Sequence, residues 1–228
     1  MDYEPAQRLL VVPEDMLAQL PAGDFVSDDT VVRQFLADVR GQGSLVNRDV
    51  AERDPRLIQL IALAYIEHRD GLVVLPRDET DASHKLYGKQ AIWVGGHVEA
   101  QDCLGWRDHT GAVVANPITD GLRRELDEEL GLEDDLLSPP ELVGLVRDSG
   151  SERSRMHLGI VFRAFARDDA NAALAMPARM QVRGRCSAEV VSLAVLRARY
   201  ERLEPWSRSI LYACFGQRSP ALMVGNAM

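Results

Sequence analysis

Between Ser27 and Gly41 apolar residues recur three and four apart, with Val31, Val32, Phe35, Leu36 and Val39 on one face of a helix. Ser27 is the expected N-cap, Asp28 and Asp29 suit the positive end of the helix dipole, and Gly41 is the expected stop. Beyond residue 56 the period shortens and the apolar runs lengthen. Leu57 to Glu67 and Leu72 to Arg77 read as two strands joined at Asp70-Gly71, KQAIWVGG as a third, and ELVGLVRD and MHLGIVFRAFA as two more. From Ile118 the helical period returns. Thr119 is placed to cap a helix carrying Leu122, Leu126 and Leu130, and Gly131 sits where a left-handed terminator is expected. Two further helices follow, one with Leu193, Leu196 and Tyr200, the other opened by Pro205 and carrying Trp206, Ile210 and Leu211. Strands first, one helix between them and helices at the end predict an α+β layered fold. Residues 1–50 read as an N-terminal helical extension packed on a domain spanning 51–228.

Composition narrows the classes. A chain of 228 residues suffices for one sizeable core, and 46% hydrophobic with 27% charged residues is ordinary globular usage. No apolar run approaches a membrane span, and the N-terminus fits neither a secretory signal nor a transit peptide, so a cytoplasmic location and no membrane partner are expected. Cys103, Cys186 and Cys214 are odd in number and far apart, which fits free thiols better than a disulfide framework or a zinc site. A net charge of −9 opposes nucleic-acid duplexes, and a small anionic substrate would need a local cation.

The segment RRELDEELGL, residues 123–132, concentrates charge on the middle helix. Glu125, Glu128 and Glu129 share one side while Leu126 and Leu130 turn to the core, and three carboxylates so close repel one another. Two readings fit: a solvated face in which Arg124 pairs with Glu128 four residues on, or a metal site. Upstream, VGGHVEAQD, residues 94–102, ends a strand in paired glycines, which allow a tight turn and leave carbonyls free for a hard cation.

Together these segments resemble the Nudix hydrolase superfamily of MutT-like proteins. Its box is a glycine, five residues, a glutamate, seven residues, then Arg-Glu-aliphatic-x-Glu-Glu-x-Gly-aliphatic. The second half is matched in full from Arg124 to Leu132. The first half begins at Gly96, but Asp102 stands where the family has glutamate, and 21 residues rather than seven separate it from Arg124. The extra residues, at about 103–117, have the Gly, Asn and Pro content of a loop and read as an insertion. With KLYGKQAIW before the glycine turn and MHLGIVFRAF after the helix, the chain is similar to a branch of predicted phosphoesterases.

The resemblance implies an α/β/α sandwich around a mixed β-sheet and Mg²⁺-dependent cleavage of a diphosphate linked to another moiety, usually a nucleoside, with Mn²⁺ as the alternative ion. Glu128 and Glu129 would be the principal metal ligands, Glu125 a further ligand or the base for the attacking water, and Gly96 a carbonyl ligand. Arg124 would orient the glutamates, and His97 and Asp102 are the candidates for contact with substrate.

Relatives often add a late-loop carboxylate, yet residues 170–188 contain no Asp or Glu, so Glu152 and Glu189 remain open candidates for that role. Arg179, Arg183 and Arg185 in that segment are either phosphate grips or exposed loop arginines, the second being favoured in an arginine-rich chain. Trp93 and Trp106 are candidate pocket walls, while Trp206 and Tyr200, at helical spacing with leucines, read as core. Two other functions stay open. One is a non-catalytic nucleotide-binding or regulatory module on the same fold; the other, ranked lower, is a prenyl-diphosphate isomerase relying on Cys103. A homodimer is an open alternative to a monomer.

Overall fold

The computed structural model describes residues 7–76, 88–103, 116–130, 137–167 and 188–216. Arg77, Trp106, Gly131, most of the 103–117 insertion, Cys186 and the three arginines between 179 and 185 lie outside them. The expected Gly131 terminator and the roles considered for Trp106 and the arginines therefore fall outside the described residues.

The centre of the molecule is strand β4, Leu57–His68, buried along most of its length on both faces. Such a strand needs partners on both edges and layers on both sides, and its unbroken apolar sequence reflects that. On one edge β4 runs parallel to β9, His157–Phe165, with Ala62 opposite Ile160. On the other edge it pairs in succession with β1 (Arg8–Pro13), β7 (Val94–His97) and β5 (Gly71–Pro76), all antiparallel. β8 (Glu141–Val146), β10 (Glu189–Val191) and β2 (Phe25–Val26) extend the sheet to the order β10-β5-β4-β9-β8-β2. β3 (Ser44–Asn47) pairs with β1, and β6 (Gln90–Ala91) with β5. The sheet is mixed, as expected.

Alternation along β4 sends Leu60, Ala62, Ala64 and Ile66 into one layer and Ile61, Leu63 and Tyr65 into the other. The first layer packs beneath α1 (Asp29–Gln42) through Val32, Phe35 and Val39, and beneath α3 (Pro117–Leu130) through Ile118, Leu122, Leu126 and Leu130. The second packs under α5 (Leu193–Ala198) and α6 (Pro205–Phe215) through Leu196, Trp206, Ile210 and Leu211. Two one-turn helices, α2 (Arg48–Ala51) and α4 (Glu152–Arg155), border β4 and β9. Helices on both faces of one sheet give the expected sandwich.

Several boundaries differ from the sequence reading. The α1 cap is Asp28, whose carboxylate accepts from Val31 N at 3.0 Å, one residue beyond Ser27, and the helix runs past Gly41 to a cap at Gly43. Thr119 lies inside α3. Asn116 holds the helix start, its side chain accepting from Ile118 N and its carbonyl from Asp120 N, with Pro117 next in line. Proline needs no partner for a missing N–H and already has helical φ, so an Asn-Pro pair opens a helix more readily than a threonine two residues on. The single strand expected for KQAIWVGG is two, broken at Ile92-Trp93. Residues 1–50 contain the expected helix, and they also supply β1, β2 and β3 to the sheet.

Candidate functional site

Strand β7 carries the glycine turn directly beneath α3. Gly95 has φ +151°, a conformation L side chains rarely adopt, and a Cβ there would lie 2.2 Å from the Ala62 carbonyl oxygen. Gly96 faces the helix. A Cβ on it would fall 2.3 to 2.6 Å from the Glu125 carboxylate, so the missing side chain is the space that Glu125 occupies. The turn is held from two directions. Val98 N donates to Leu60 O at 3.0 Å within the sheet, while Leu10 N donates to Val98 O at 2.8 Å and Ala100 N to Arg8 O at 3.0 Å, so β1 grips the same segment.

Arg124 is the hub of the site, its side chain 16% exposed. Its Nε and Nη2 donate to Asp102 Oδ1 and Oδ2 at 2.9 and 3.0 Å, a two-pronged pair. Nη1 donates to Glu125 Oε1 at 2.8 Å and more loosely to Glu128 Oε2 at 3.4 Å, and Nη2 also reaches the His97 carbonyl at 2.9 Å. The i,i+4 pair of the solvated-face reading is thus present but is the longest of these contacts. The strongest partner lies 22 residues upstream, across the insertion.

Burial disfavours the Arg124 charge, yet the hydrogen bonds to Asp102 and Glu125 outweigh it and hold the guanidinium protonated beyond its ordinary range. Glu125 is pushed up from the usual carboxylate value, chiefly by burial, with Arg124 opposing and the charges of Glu128 and Glu129 adding to the rise. Glu125 is thus more enclosed than Glu128, its side chain 12% exposed against 39%. Among the described residues no three His, Cys, Asp or Glu side chains converge closely enough to hold a metal ion as they stand. Glu125 is drawn toward Arg124 and Gly96.

The two residues expected to contact substrate are both engaged within the protein. Asp102 is 7% exposed, and besides Arg124 it accepts from Glu99 N at 2.8 Å. Both its oxygens are engaged within the protein, which makes it a partner of Arg124. The His97 ring lies on the other face of the sheet from Glu125, because side chains alternate along β7. There its Nε2 is 2.9 Å from Gln59 Oε1 and the ring packs edge-on against His157 at 5.5 Å. Only the carbonyl of His97 belongs to the carboxylate site.

The candidates outside the box separate. Glu189 is paired with Arg199 at 2.8 Å on β10. Glu152 lines a cavity of about 290 Å³ with Glu52, Arg53, Gln59 and His157, on the His97 ring's side of the sheet. Trp93 turns its Nε1 to Glu204 Oε1 at 2.7 Å and stacks at 5.7 Å on Trp206, which is core as expected. Cys103 and Cys214 are free thiols, as expected. Burial pushes the Cys103 thiol up to about 11, with Asp102 adding to it, which makes it a poor nucleophile near neutral pH. The sequence marked Asp102 only through its place in the box pattern, and the 21-residue separation hid its proximity to Arg124.

No family model matches the chain. Protein YmaB of Bacillus subtilis (strain 168) is 24% identical over 208 residues, covering 90% of this chain and 96% of that protein. Among solved structures, Tm1382, described as a candidate Nudix hydrolase, superposes with a TM-score of 0.67 over 91% of this chain and all of its own, at 24% identity. The chain has the Nudix fold.

Proposed function

We propose that this protein is a metal-dependent Nudix hydrolase that cleaves the phosphoanhydride bond of a diphosphate joined to another group, nucleotide-derived compounds being the first class to test. The observation that carries the reading is the Arg124 hub, which seats Glu125 against the bare Cα of Gly96 and leaves Glu128 and Glu129 on the same helical face. A merely solvated acidic face would have no use for a half-buried, doubly gripped arginine beneath it.

The donor set fits a hard divalent cation. Glu128, Glu129 and Glu125, with the Gly96 carbonyl, are all oxygen ligands of the kind Mg²⁺ takes, and Mn²⁺ accepts the same set. Such an ion, when bound, neutralises phosphate charge and acidifies a bound water. The chain's own part is positional. Arg124, fixed by Asp102 and the His97 carbonyl, keeps the glutamates in register with the glycine turn, and Glu125, held beside Gly96, is placed to serve as a further ligand or as the base for attacking water. The local cation demanded by a net charge of −9 is then the metal itself. Among the described residues no helix is long and apolar enough to cross a membrane, consistent with the cytoplasmic setting we assign to this activity. The isomerase reading is disfavoured by the raised pKa and burial of Cys103.

The test is turnover of a panel of nucleoside triphosphates, dinucleoside polyphosphates, ADP-ribose, nucleotide sugars and prenyl diphosphates with Mg²⁺ or Mn²⁺, with Glu129→Gln as control. Cleavage that falls at least about 100-fold in the variant is expected, the scale of losing a group that acts directly on the reacting centre. Full activity in Glu129→Gln would sink the assignment. Metal binding by the wild type without turnover of any compound would favour the non-catalytic binding module.

A further inference from the structure

Gly121 lies on α3 one turn before Arg124, in the variable stretch between the two halves of the box, and it is buried. A Cβ at this position would lie 2.9 Å from Asp102 Oδ2 and 3.3 Å from Asp102 Cγ. That carboxylate has little freedom to move aside, because Oδ2 receives both Glu99 N at 2.8 Å and Arg124 Nη2 at 3.0 Å, while Oδ1 receives Arg124 Nε at 2.9 Å. Displacing it breaks bonds to the turn and to the guanidinium together.

A glycine in a helix interior is otherwise a liability, since alanine would favour the helix on backbone entropy alone. Its presence on the inner face of α3 therefore needs a local reason. We propose that Gly121 is a positioning residue for the carboxylate site: its bare Cα admits the short side chain of Asp102 close enough to α3 to grip Arg124, and through Arg124 it sets Glu125 against Gly96. Asp102 is one methylene shorter than the glutamate of the box pattern, so its carboxylate must approach α3 closely, and Gly121 supplies the clearance. Asp102 and Gly121 work as a pair. The inference deepens the proposed hydrolase reading but rests on geometry that holds whatever the substrate is.

The test is a double-mutant cycle with two readouts. In the wild-type background Gly121→Ala should lower kcat about 10-fold or more, the scale found when a residue supporting a metal site is disturbed, with KM little changed. In the Asp102→Ala background the same change should alter kcat by less than about 2-fold, because no carboxylate remains to displace, and the melting temperature should rise as alanine stabilises the helix. The second readout is the ¹H–¹⁵N resonance of Arg124 Nε, which Gly121→Ala should shift and broaden by breaking the bond to Asp102. An equal kcat loss in both backgrounds would overturn the pairing, as would an unmoved Arg124 resonance. If the wild type hydrolyses nothing, the functional reading fails alone, and the resonance and melting temperature still decide the role of Gly121.

Discussion

Two faces of the sheet meet at His97. Its carbonyl accepts from Arg124 on the carboxylate side, while its ring lies on the opposite side between Gln59 and His157. Burial, the neighbouring His157 ring and Arg48 and Arg153 hold His97 far below its ordinary value of 6.5, at about 3, with Glu52 alone pulling the other way. His157 is lowered by the same burial and by Arg153 and Arg48, opposed by its own bond to the Arg153 carbonyl and by Glu52. Both folded-state values are depressed, so the folded protein refuses protons that the unfolded chain accepts. The stability these rings contribute is complete above roughly pH 6.5 and is lost progressively as pH falls toward 3. For His97 the loss has a ceiling of about 5 kcal/mol, at roughly 1.4 kcal/mol per unit. Melting temperature followed across that window should fall steeply in the wild type and less steeply in His97→Gln, which keeps an N–H for Gln59 and cannot titrate. Parallel curves for the two proteins would show that the ring does not carry the acid sensitivity.

At the scale of elements, the break between β6 and β7 shows a secondary structure decided from outside. Ile92 N donates to Ser207 Oγ at 3.0 Å, and Trp93 Nε1 to Glu204 Oε1 at 2.7 Å, so the gap in the strand is closed by the first turn of α6. Glu204 is 4% exposed, and as the cap of α6 it also accepts from Trp206 N and from the Ser207 amide and hydroxyl. Removing it strands several buried donors at once. Glu204→Ala should therefore lower stability by about 2–4 kcal/mol in urea unfolding, more than the loss of an exposed cap. A change under about 1 kcal/mol would mean that water replaces the carboxylate and that the junction is not structural. The same junction marks the limit of what the chain discloses locally. α1 and α3 were legible because amphipathic spacing and nearby capping residues encode them, and β4, β8 and β9 because long apolar runs do. The Ile92-Trp93 break depends on partners more than 100 residues away, and the Asp102–Arg124 pair spans the insertion. The box helix announced which carboxylates matter, but not that Asp102 and Gly121 hold the arginine between them.

At the scale of the whole molecule, the apolar run Leu9 to Val12 is too short to stand out in the chain, yet as β1 it lies between β3 and β4, with all four residues fully buried. β1 also hydrogen-bonds the turn that carries Asp102, through Leu10 to Val98 and Arg8 to Ala100. α1 shares one apolar cluster with α3, and β2 pairs with β8. Residues 7–50 therefore add three strands to the sheet, pack α1 on one face and hold the site's glycine turn. A protein beginning at Ala51 would expose one edge of β4 and the apolar surface left by Val32, Phe35 and Val39, which is both a loss of core and an open strand edge prone to aggregation. That truncation should be insoluble, or soluble without cooperative thermal unfolding, as followed by circular dichroism. A truncated protein that unfolds cooperatively near the wild-type temperature would show instead that residues 51–228 fold independently. In that case the Asp102 turn should still loosen, and a kcat loss without a stability loss would isolate the grip of β1 on the carboxylate site.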